Sequence, residues 1–75
     1  MNIKILGSGC ASCKTLYGNT EEALRQLGME ATLEKVEDFK AIAKYGVMRT
    51  PAIVVDEKVK AFGKVLTVEE IKAIL

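Results

Sequence analysis

Ile3-Lys4-Ile5-Leu6-Gly7-Ser8-Gly9-Cys10-Ala11-Ser12-Cys13 is the stretch from which the rest of this 75-residue chain can be read. Met1–Leu6 alternates and is rich in β-formers, so it predicts a first strand, which Gly7-Ser8-Gly9 breaks. The only two cysteines follow, three residues apart, where an amphipathic segment opens. On a helix, positions i and i+3 share a face, with Cβ atoms about 5–6 Å apart. A small adjustment turns that separation into disulfide geometry, with Cα atoms about 5.5–6 Å apart. The pair can open and close without rebuilding the fold, as a redox switch requires.

From Cys13 to Leu27, the small or apolar positions Cys13, Leu16, Tyr17, Thr20, Ala23, Leu24 and Leu27 step by three and four, and Gly28 suits a left-handed cap. Met29, Ala31 and Leu33, with Val36, predict a second strand. A strand, helix, strand order with this connection length implies a parallel, right-handed crossover. Asp38 can cap a short helix carrying Phe39, Ile42 and Ala43 inward, closed by Gly46. Ala52–Val55 and Lys58–Phe62 read as a hairpin around Asp56-Glu57, although the favoured glycine is missing at Glu57. Thr67-Val68-Glu69-Glu70 fits a capping box for a last helix that buries Val68, Ile71, Ile74 and Leu75. The predicted order is β-α-β-α-β-β-α, one α/β domain over residues 1–75 with a mixed four-stranded sheet flanked by helices.

Composition narrows the function classes. Hydrophobic residues make up 49% of the chain, enough for one core near the lower size limit of unstapled domains. The 11 basic residues nearly balance the 10 acidic ones and are dispersed, and only two Tyr and two Phe could stack on bases. That pattern is no nucleic-acid footprint. The longest aliphatic run, Ala52-Ile53-Val54-Val55, is far too short to span a bilayer, and no basic-plus-apolar leader precedes the first strand. A reducing cytoplasm is the expected setting, with no membrane partner. There a close cysteine pair is more often catalytic or metal-binding than structural.

The placement of the thiols suggests a division of labour. Cys10, at or just before the first helical turn, would meet free backbone N–H groups and the positive end of the helix dipole, which favour the reactive thiolate. Cys13, one turn deeper on the inward face, would stay neutral. Cys10 is therefore the expected nucleophile and Cys13 the resolving thiol. The plain alternative is a pair of buried small residues that happen to be cysteines; position, spacing and helix start weigh against it. Thr50-Pro51 holds the only proline, at the entry to the hairpin. It can be read as an ordinary strand opener or as a cis peptide turning Thr50 toward Cys10.

Taken together, Cys10-Ala11-Ser12-Cys13 at a helix start, Thr50-Pro51 before a hairpin and a closing helix resemble the thioredoxin superfamily. The resemblance is closest to the very small prokaryotic thioredoxin-like redox-active disulfide proteins of glutaredoxin size. It covers the whole chain, including Phe62-Gly63-Lys64-Val65. It implies dithiol–disulfide exchange with protein disulfides and a cis-proline loop at Thr50-Pro51. The Thr50 backbone would pair with an extended substrate, and Gly9, Ala11, Ser12 and Pro51 would border it. The implied partners are protein disulfides and a disulfide reductase such as a thioredoxin reductase. The expected species is a monomer with no cofactor beyond the reversible Cys10–Cys13 disulfide and no metal.

Departures from that pattern are specific. Gly9 stands where thioredoxins carry an aromatic residue, and Ala11-Ser12 where they carry Gly-Pro. Lys4, six residues before Cys10, replaces a buried proton-handling carboxylate and is expected to face solvent. Gly63 alone does not match the paired glycines of a glutathione site, which favours a reductase-fed dithiol over glutathione dependence. The alternative class is a soft-metal carrier, since copper-chaperone domains also present Gly-x-x-Cys-x-x-Cys. Those domains run β-α-β-β-α-β and carry methionine where Ser8 stands here. A third class is an interaction module using Met48 and Tyr17, which are expected instead to pack in the core or at its rim. Phosphatase loops, cysteine proteases and P-loops fail for want of an arginine at Leu16 or Asn19, a histidine, and a Gly-Lys-Ser/Thr run respectively. Glu21, Glu22, Glu69 and Glu70 read as solvated helix faces with capping roles.

Overall fold

In the computed structural model, which describes residues 1–7 and 11–75, apolar alternation becomes a four-stranded sheet. The strands are β1 (Asn2–Leu6), β2 (Thr32–Val36), β3 (Ala52–Val55) and β4 (Lys58–Phe62), and the helices are α1 (Ala11–Leu27), α2 (Phe39–Lys44) and α3 (Val68–Ile74). Sheet order is β2-β1-β3-β4. β1 runs parallel to β2 and antiparallel to β3, and β3 runs antiparallel to β4. The order β-α-β-α-β-β-α and the mixed sheet are those expected from the sequence. The last element is a helix, unlike the closing strand of a copper-chaperone domain.

Side chains alternate across the central strands, so each face has its own apolar cluster. Ile3, Ile5, Ile53 and Val55 meet Leu16, Ala23, Leu24, Leu66 and Ile71 under α1 and α3. Leu6, Ala52 and Val54 meet Ile42 of α2 on the other face. A bulge between Ile53 and Val54 pairs them with Ala61 and Val59, leaving Lys60 as the extra residue. It lets Val59 face α2 and Ala61 face α1, two residues apart on one strand.

Local chemistry sets the helix ends. α1 closes in a Schellman motif: Gly28, at φ +64°, donates to the Arg25 carbonyl at 3.2 Å, and Met29 donates to that of Leu24 at 3.0 Å. Thr67 and Glu70 form the capping box of α3, with the Glu70 N–H 3.2 Å from Thr67 Oγ1 and the Thr67 N–H 3.1 Å from Glu70 Oε1. Asp38 caps α2 through the Lys40 N–H. Six residues give α2 fewer than two turns, however, so only Ile42 is buried. Phe39 is 74% exposed and Ala43 is also exposed, contrary to the inward placement expected for both.

The hairpin turn explains the glycine missing at Glu57. Asp56 and Glu57 both adopt left-handed backbone, φ 49° and 68°, as a two-residue type I′ turn requires. Each is held by its side chain. Asp56 Oδ1 accepts from the Asn2 N–H at 2.8 Å. Glu57 Oε1 accepts from Lys4 Nζ at 2.8 Å, and its Oε2 accepts from Tyr45 Oη at 2.9 Å.

Lys4 does not face solvent as expected. Its side chain is 19% exposed, lies on the α2 face of β1, and also donates to Tyr45 Oη at 2.9 Å. Its stem covers sheet that short α2 leaves bare, while its ammonium stays paired. The hydrogen bond from Lys4, then that from Tyr45, holds the Glu57 carboxyl below the usual range. The hydrogen bond to Glu57, then that to Tyr45, raises Lys4 above its ordinary value. A depressed carboxyl stabilises the fold above its unfolded pKa and loses that contribution as pH falls through its folded value. The raised ammonium contributes fully below the unfolded lysine pKa and is lost as pH rises through its folded value. Glu57→Gln should therefore lower the melting temperature at pH 7. The gap between the two proteins should narrow on acidification below about pH 4. Melting curves across pH check this; a gap that is constant with pH would contradict it.

Candidate functional site

Gly7 leaves the end of β1 with its N–H bonded to the Val36 carbonyl at 2.9 Å, extending the parallel pairing with β2 by one residue. This pins the backbone beside the first turn of α1. Cys13 projects from that turn toward the sheet and is 6% exposed. A Cβ on Gly7 would overlap Cys13 Sγ and lie 3.2 Å from Cys13 Cβ and 3.8 Å from Thr50 Cβ. Gly7, Cys13 and Thr50 thus come together from three parts of the chain. The contact is close enough that only glycine fits at position 7 without displacing a neighbour. Sequence reasoning treated Gly7 only as a strand breaker; nothing local signals its clearance role.

Thr50 is exposed and Pro51 buried, and the peptide bond between them is cis. The Pro51 carbonyl accepts from the Gly63 N–H at 3.0 Å, which ties the loop to the end of β4. Ala11 and Ser12, the first residues of α1, are exposed. Cys10 and Gly9 lie outside the described residues. α1 opens at Ala11, the residue after Cys10, and has no acidic side chain in its first turn. No acidic side chain of that turn offsets its free amide dipoles.

Between α1 and β2 a cavity of about 40 Å³ reaches Cys13, lined also by Ile5, Gly7, Lys14, Lys35 and Glu37. Register explains the lining. Lys35 lies opposite Ile5 in the parallel pair, so Leu33 and Lys35 share the α1 face of β2, and Glu37 reaches the cavity from just past the strand's end. Lys35 Nζ sits 4.8 Å from the centre of the Tyr17 ring, a cation–π contact over the α1–β2 seam. Tyr17 is partly buried against the core, as expected, but Met48 is 93% exposed rather than packed. The sequence reading assigned Lys14, Lys35 and Glu37 no part in the site, because their convergence depends on strand register.

A parallel strand pair with a helix thiol at its C-terminal edge, a neighbouring Thr-Pro turn and a two-sided sheet is a thioredoxin arrangement. The thioredoxin domain family matches residues 1–75 of this chain, its full length. The chain belongs to that family. It is 41% identical over 75 residues to a thioredoxin of Methanothermobacter thermautotrophicus, covering 100% of this chain and 97% of that protein. It is also 40% identical over 70 residues to a thioredoxin of Methanocaldococcus jannaschii, covering 93% and 80% of the two chains. Family membership makes the Cys13–Gly7–Thr50 cluster the first place to look for chemistry.

Proposed function

We propose that this chain, a thioredoxin-type oxidoreductase, reduces protein disulfides through a Cys10–Cys13 couple. Cys10 thiolate attacks one sulfur of the substrate disulfide, forming a mixed disulfide and releasing the first substrate thiolate. Cys13 then attacks Cys10 Sγ, closing the internal disulfide and releasing the second. Two electrons pass from the dithiol to the substrate, and a disulfide reductase restores the dithiol. Thr50 offers an exposed edge for an extended substrate segment, with Gly9, Ala11, Ser12 and Pro51 bordering the exchanging sulfurs. No cofactor enters these steps, and a monomer in a reducing cytoplasm suffices for them.

The observation that carries this reading is the close approach of Cys13 to Gly7, with Thr50 on the same side of Gly7, at the start of a helix that follows Cys10. A thiol held there is ready to resolve and shielded from unrelated oxidants. A redox titration with dithiothreitol buffers, read by alkylation and intact mass, tests it. Both thiols should be lost together in one two-electron transition. Independent loss of one thiol, or none across the range, would contradict the couple.

A further inference from the structure

We infer that Glu37 is the base that takes the proton from Cys13 when it resolves the mixed disulfide; this rests on the exchange reading above. Cys13 must lose a proton to attack, and at 6% exposure it has little access to bulk water that could take it. The cavity at its side chain connects it to the charged groups at the end of β2. Those facing it are Lys14 from α1, Lys35 from β2 and Glu37 just after that strand. Ile5 and Gly7 of the β1 segment and Thr50 of the proline loop bring no titratable group. Among these, Glu37 carries the only carboxylate. The lysine on β1, Lys4, is on the opposite face of the sheet, committed to Glu57 and Tyr45. It cannot reach Cys13 through the sheet.

A cavity of about 40 Å³ has room for a water, for which about 10–15 Å³ suffices, so the transfer can run through one bridging molecule. The Cys13 S–H bond breaks and its proton passes by that water to the Glu37 carboxylate. The thiolate electron pair forms the Cys13–Cys10 bond as the Cys10–substrate S–S bond breaks, and the substrate leaves as a thiolate. Glu37 then returns its proton to solvent, where the released thiolate is protonated. Lys14 and Lys35 border the same cavity and favour negative charge on the sulfur as it develops. Glu37 acts on a reacting atom only through this bridge, and its effect should appear only in the second chemical step.

Reduced protein mixed with one equivalent of a chromogenic aromatic disulfide should release coloured thiolate in two phases. The first reports attack by Cys10 and the second resolution by Cys13. Glu37 is exposed, so Glu37→Gln should leave the fold intact. At pH 6 its second phase should be at least about tenfold slower than wild type, with the first phase unchanged. The gap between the two proteins should narrow as pH rises and hydroxide takes over removal of the proton, and Glu37→Asp should recover part of the loss at pH 6. Equal second phases at every pH, or a loss of the same factor at every pH, would overturn the role of Glu37. A wild-type protein lacking the second phase would instead sink the Cys10–Cys13 reading itself.

Discussion

Replacing Cys10 with serine is expected to take dithiothreitol-driven reduction of a peptide disulfide down to the uncatalysed rate, at least about a hundredfold below wild type. The nucleophile in exchange is a thiolate, and a serine hydroxyl does not ionise near neutral pH. α1 begins at Ala11, the residue after Cys10, and the free amides of a helix's first turn favour an anion beside them. Cys13 cannot take over, because it is 6% exposed and walled by Gly7. The measurement is the steady-state rate at pH 7 with the reductant in excess. A Cys10→Ser protein retaining more than a tenth of wild-type turnover would mean that another group does the attacking.

Gly7→Ala is the second large effect, and it bears on stability and chemistry together. The added methyl would overlap Cys13 Sγ and press on Cys13 Cβ. The bond from the Gly7 N–H to the Val36 carbonyl holds one side of this contact. The other side is the first turn of a helix packed on the sheet. Cys13 must swing to another rotamer, or the start of α1 must lift. Overpacking of this kind costs about 1–3 kcal/mol. A displacement near 1 Å at a reacting atom can cost about 100-fold in rate. Denaturant melts should give a lower midpoint with unchanged slope, and the resolving phase should slow while the first phase persists. A variant matching wild type in both would show that the approach of Gly7 to Cys13 is not a constraint on the site.

The elements were largely readable from local rules, for reasons visible in individual residues. Stepping from Cys13 to Leu27 and the glycine at position 28 fixed α1 and its end. The Asp56-Glu57 pair fixed the hairpin, and Thr67 with Glu70 fixed the start of α3. Errors arose where coverage, not pattern, decides burial. α2 is too short to turn Phe39 and Ala43 inward, and Met48 lies in the segment that follows it. Lys4 occupies the strip of sheet that α2 leaves open, so a lysine in an alternating strand became half-buried and paired. For the site, the thiol on the inward face of α1 was legible from its spacing. The clearance at Gly7 and the convergence of Lys35 and Glu37 on Cys13 were not. Both depend on how β1 pairs with β2, a contact between distant parts of the chain that no local pattern encodes.

The proposed exchange turns on one event, capture of a substrate at Cys10 and its displacement by Cys13. Cys13→Ser removes the second step and leaves the first. Incubated with an oxidised peptide carrying one disulfide, that variant should accumulate a covalent adduct whose mass equals protein plus peptide. Peptide mapping should place the link at Cys10, dithiothreitol should reverse it, and Cys10→Ser should form none. No adduct with Cys13→Ser, or equal adduct with both variants, would contradict the account.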